Sequence, residues 1–88
     1  MNLILSPKAF ADVEIWIRQD SRHLKKIYRL VEETLRTPRQ GIGKPEQLKY
    51  EKGEVWSRRV SMQHRMVYRI LDDAIVIHSF HGHYVTDL

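Results

Sequence analysis

The chain of 88 residues has a formal net charge of +4 at neutral pH, with 42% hydrophobic and 30% charged residues and no cysteine. That length suits one domain spanning residues 1–88, and the composition is that of a folded rather than a disordered chain. Disulfides and thiolate metal sites are excluded, a reducing cytoplasm is the expected compartment, and neither a membrane span of roughly 20 apolar residues nor a secretory leader is legible.

Leu3-Ile4-Leu5 reads as a short strand. Ser6-Pro7 then supplies a capping residue and a proline at the first helical position. An amphipathic helix is predicted over Pro7–Gln19, with Phe10, Val13 and Ile17 as its apolar face. A second is predicted over Arg22–Arg36, facing inward with Leu24, Ile27, Tyr28, Val31 and Leu35, and ending at Thr37-Pro38. Arg39 to Lys44 is loop. From there the period becomes strand-like, with predicted strands at Gln47–Tyr50, Val55–Ser61, Arg65–Leu71 and Ala74–His83. The expected fold is therefore α+β, in the order β-α-α-β-β-β-β: an antiparallel sheet with two helices on one face. The other face is left partly open, and its side chains decide the function.

The excess charge is concentrated. Between Lys44 and Leu71 there are seven basic residues against three acidic ones, a balance of +4; outside this stretch the charges cancel. Such a stretch suits a polyanion such as nucleic acid. Alternation puts Met66, Tyr68 and Ile70 on one side of their strand, against the helices, and Arg65 on the open side. Cleaving RNA without a metal needs a base for the ribose 2′-OH, an acid for the leaving 5′ oxygen and a cation for the phosphate oxygens. Glu46, His83 and Arg65 are of the right types, and the expected products are a 2′,3′-cyclic phosphate and a 5′-hydroxyl. His78, His81 and His83 do not read as a metal site, because strand alternation turns His78 away from the other two. No cofactor is expected.

Four stretches together resemble one family. Gly43-Lys44-Pro45-Glu46-Gln47-Leu48 is similar to its GKPEPL, Trp56-Ser57-Arg58-Arg59-Val60 to its WSRRI, His64-Arg65-Met66-Val67-Tyr68 to its HRLVY, and His83-Tyr84 to its near-terminal HY. Their order and spacing match over nearly the whole chain. The family is that of the Txe/YoeB toxins, within the RelE-like superfamily. The resemblance implies the RelE-like fold and a toxin that cleaves mRNA in the ribosomal A site, inhibiting translation. It implies that Glu46 is the general base, Arg65 stabilises the transition state, His83 is the general acid and Tyr84 positions the substrate. Lys49 and Arg59 match basic positions; with Lys44, Arg58 and His81 they form the expected phosphate-binding set. The implied partners are a YefM/Phd-type antitoxin, operator DNA bound through the antitoxin complex, the ribosome with its mRNA, and a second copy of the chain. The chain departs from the family in the residues Val85–Leu88 after Tyr84 and in His81, where arginine is frequent. Two other readings stay open: a non-enzymatic toxin on the same fold that acts on another target such as gyrase, and a passive nucleic-acid-binding module.

Overall fold

The computed structural model describes residues 1–82. Strand β1 (Asn2–Leu5) leads into helix α1 (Pro7–Gln19) and helix α2 (His23–Arg36); strands β2 (Glu46–Gln47), β3 (Glu54–Arg59), β4 (Arg65–Ile70) and β5 (Ala74–Ser79) follow. The element order is the expected one. The five strands form one sheet in the order β1-β5-β4-β3-β2. Strands β2 to β5 are the expected antiparallel meander, whereas β1 joins parallel to β5, which makes the sheet mixed. The two helices carry the chain from β1 across one face, and β1 pairs with the strand that closes the meander.

Helix α1 begins as its sequence dictates. The Ser6 hydroxyl accepts from the Ala9 amide at 3.0 Å and donates to the His78 carbonyl at 2.8 Å, fastening the helix start to β5. The face that α1 buries differs from the expected one. Ala9, Asp12 and Trp16 point inward, Val13 is half-buried, and Phe10 and Ile17 are 72% and 55% exposed. The stripe is rotated because Asp12 has work inside: its Oδ2 accepts from the Phe80 and His81 amides at 3.0 and 3.2 Å, and Lys8 pairs with it from the rim at 2.8 Å. Trp16 beside it donates from Nε1 to the Phe80 carbonyl at 2.9 Å. Asp12→Ala orphans one buried and one part-buried amide, at an expected cost of about 2–3 kcal/mol. Thermal unfolding should show a midpoint lower by about 10–20 °C for a domain this small.

On α2 the buried residues are Ile27, Leu30 and Thr34, with Leu24, Val31 and Leu35 packed against the core, while Tyr28 is 70% exposed. The core closes between the helices and the sheet on Met66, Tyr68, Ile75, Ile77 and Phe80. On the opposite face a small apolar cluster is buried, formed by Leu48, Val55 and Val67. One irregularity interrupts the sheet. Opposite Val67 and Tyr68, strand β5 carries an extra residue between Ile77 and Ser79, a bulge at His78.

Candidate active site on the open sheet face

Cross-strand register assembles one end of the open face. Glu46 stands opposite Ser57, Ser57 opposite Val67, and Arg59 opposite Arg65. Directly opposed residues in a sheet project to the same side, so Glu46, Ser57, Arg59 and Arg65 share it. Glu46 is exposed on the edge strand β2, and Arg65 is half-buried two strands away. Two strand spacings across and two residues along put their backbones roughly 12 Å apart. The Arg65 guanidinium donates from Nη1 to the buried Ser57 hydroxyl at 3.1 Å, a bond that uses one of its several donors. A carboxylate and a guanidinium thus stand on one face of the sheet, two strands apart.

The loop that delivers Glu46 is pinned by Arg58. This residue was expected among the phosphate contacts and is instead 0% exposed. Its Nη2 donates to the Thr37 and Gln40 carbonyls at 2.7 and 2.8 Å, and its Nη1 to the Ile42 carbonyl at 3.1 Å. Its Nε donates to the Tyr68 hydroxyl at 3.1 Å, which in turn donates to the Pro38 carbonyl at 2.7 Å. Burial pushes the Tyr68 phenol above its ordinary range, which keeps that proton in place. Arg58 therefore holds the loop rather than substrate, because β3 alternation turns it inward with Trp56 while Ser57 and Arg59 turn outward. Next in the loop, Gly43 at φ 81° lies so close to Leu30 that a Cβ there would meet its side chain at 2.7 Å. The Gly43 carbonyl accepts from the Arg59 amide at 2.7 Å. Lys44 follows at φ 51°, and the chain then enters β2 at Glu46. Lys44, Lys49 and Arg59 are all exposed, as cations for a polyanion must be.

A second set of contacts fixes the end of the described chain. The Gly82 carbonyl accepts from the Arg65 amide at 3.0 Å, and the Gly82 amide donates to His64 Nδ1 at 2.8 Å. The His64 and His81 rings stack with centroids 4.0 Å apart, and the Trp16 indole meets each edge-on at 5.1 and 5.3 Å. Together with the Asp12 and Trp16 bonds to residues 80 and 81, these ties hold the chain against the start of β4. His81, expected to contact phosphate, thus has one ring face committed to His64. His83 and Tyr84 lie outside the described residues.

Sequence reasoning missed Asp12, Ser57 and His64 as residues that hold this site. Only Ser57 had a local signal, since alternation puts it on the side of Arg59. The bulge also overturns one expectation: His78 was to face away from His81, yet both line one cavity on the open face.

A model of the YoeB-like toxins of bacterial type II toxin–antitoxin systems matches residues 5–84. The toxin YoeB of Escherichia coli strain K12 is 43% identical over 84 residues, covering 96% of this chain and all of that protein. Among solved structures, a YoeB/ParE toxin from Agrobacterium tumefaciens superposes with a TM-score of 0.88 at 37% identity, covering 96% of this chain and 100% of that one. The YoeB dimer from Staphylococcus aureus superposes with a TM-score of 0.86 at 39% identity, covering 96% and 98% of the two chains. The toxin chain of the S. aureus YoeB–YefM heterotetramer matches at 0.82, with the same identity and coverage. With the mixed sheet, the paired helices and the family model in agreement over nearly its full length, the chain belongs to the YoeB-like family of type II toxins.

Proposed function

We propose that this toxin is a metal-independent endoribonuclease, a single catalytic domain that cuts mRNA in the A site of a translating ribosome in the cytoplasm. Glu46 takes the proton from the ribose 2′-OH, and that oxygen attacks the adjacent phosphorus. Arg65 bears the charge gathering on the non-bridging oxygens. His83 protonates the departing 5′ oxygen, and Tyr84 orients the substrate. The products are a 2′,3′-cyclic phosphate and a 5′-hydroxyl. Lys44, Lys49 and Arg59 hold the flanking phosphates. The observation that carries this reading is the shared, solvent-facing side of Glu46 and Arg65, with the guanidinium braced on Ser57. A passive binder needs its basic residues but has no use for a carboxylate among them, so the pair favours chemistry over simple attachment.

The partner that silences the toxin is a YefM-type antitoxin, and the pair acts on operator DNA; relatives from S. aureus form both a complex with YefM and a homodimer. Phe10 and Ile17, exposed on α1, are suited to burial in such an assembly.

The deciding experiment maps mRNA 5′ ends in a translation extract supplied with the protein. New ends should arise only on translated messages, and Glu46→Gln should reduce them by about 10²-fold or more, the scale of a lost general base. Cutting that persists in Glu46→Gln would rule this mechanism out. Blocked DNA supercoiling with intact mRNA would favour a gyrase-directed toxin.

A further inference from the structure

Beside Arg65 the open face holds a cavity of about 360 Å³ that the catalytic scheme leaves unused. Its floor is Val55 and Val67, buried to within 3% and 8% exposure and backed by Leu48. Lys8, Arg69, His78 and His81 stand around it, and Glu51 is the carboxylate on its rim. Val67 and Arg69 are the next outward residues along β4 after Arg65, so along the backbone the floor starts about 7 Å from Arg65 and Arg69 follows at about 13 Å. The cavity is therefore a direct continuation of the candidate active site along one strand.

Two devices of the fold build it. The bulge at His78 turns that imidazole and the following Ser79 toward the same cavity. The Asp12 carboxylate steers Lys8 around the end of β1, where its Nζ reaches the His81 carbonyl at 3.3 Å. Arg69 is braced by a bond from Nη1 to the Lys52 carbonyl at 2.6 Å, which uses one of its several donors. Burial, with the neighbouring Arg69 charge adding to it, holds the His78 imidazole below its usual range. A neutral ring offers one donor and one acceptor, which suits a base edge.

We propose that this cavity is a nucleotide subsite of the substrate strand. The base next to the cleaved phosphate lies on Val55 and Val67, its edge is read by His78 and Glu51, and its phosphate is gripped by Arg69 and Lys8. The proposal rests on the nuclease reading above and extends it to substrate selection. An RNA chain entering the catalytic end must pass over an adjoining part of the face, and this part offers an apolar floor with cations at nucleotide-scale spacing. The antitoxin is the competing occupant. A peptide would gain from the same charge, but it has no need of an apolar floor on the same strand as Arg65.

The test compares wild type, Arg69→Gln and His78→Ala on ribosomes programmed with mRNA, reading the half-saturating ribosome concentration, the rate at saturation and the profile of cut sites. Each substitution should raise the half-saturating concentration by about five- to tenfold, the scale of one lost phosphate or base contact. Each should also flatten the nucleotide preference next to the cut, while the rate at saturation changes far less. Binding to ribosomes whose A-site codon carries 2′-deoxyribose should weaken by the same factor. Arg69→Gln also loses the brace to Lys52, so His78→Ala decides the matter if the first variant melts early. Unchanged affinity and profile in a folded, cutting His78→Ala protein would overturn the subsite. So would a loss confined to antitoxin affinity, which would make the cavity a peptide site. If wild type itself cuts nothing, the nuclease reading fails first and the subsite falls with it.

Discussion

Replacing Arg58 by methionine is expected to destabilise the protein by about 3–5 kcal/mol, the scale for breaking a buried, charged hydrogen-bond network. Methionine keeps most of the volume but supplies no donors. The Thr37, Gln40 and Ile42 carbonyls then each lose a charged donor, and the Tyr68 hydroxyl loses its donor. The nearby Arg39–Glu54 ion pair does not compensate. Both of its groups are exposed, so although Arg39 holds the Glu54 carboxyl below its usual range, the pair stabilises little. Since a small domain has only about 5–15 kcal/mol of stability in total, much of the Arg58→Met population should be unfolded near 37 °C. Urea titration followed by circular dichroism measures this directly. If Arg58 were instead a phosphate ligand, the variant would melt like wild type and merely bind RNA less tightly. A stability loss under about 1 kcal/mol would therefore contradict the structural role.

Arg58 also shows where sequence ends as a guide. In the text of the chain it is one more cation in the stretch that carries all the net charge, next to an arginine that does face solvent. Its inward direction follows from the β3 alternation, but its partners lie 10 to 21 residues away in the chain. Local pattern reports direction and not distant partners. Asp12 misled for the same reason: a carboxylate on a helix reads as a solvent residue, and the amides that need it are 68 and 69 positions away. The buried face of α1 thus departs from its apolar stripe while its boundaries follow the sequence, because Ser6 and Pro7 are local signals and Asp12 is not. The bulge at His78 has no composition marker at all. What was legible is what repeats or alternates: the element order, the α2 stripe apart from Tyr28, and the outward direction of Arg65. Pairing was not, so the parallel partnership of β1 and β5 had to come from the structure.

Arg65→Gln should lower cleavage on programmed ribosomes by about 10²–10³-fold, the range found when a donor aimed at developing phosphate or oxyanion charge is removed. Glutamine retains hydrogen-bonding ability and much of the length, so it can still reach toward Ser57; what disappears is the charge and the fork. The loss should fall mainly on the rate at saturation, because the charge on the phosphate oxygens grows as the 2′-oxygen attacks. Arg65→Lys separates the two contributions. A lysine ammonium restores the charge as a point without the planar pair of donors, so it should recover part of the rate and leave a deficit of about tenfold or more. Ser57→Ala isolates the brace: the guanidinium keeps its charge and loses its 3.1 Å anchor, and a cost of only a few-fold is expected if the fork reorients on contact with phosphate. Full activity in Arg65→Gln, with unchanged melting, would remove this cation from the chemistry.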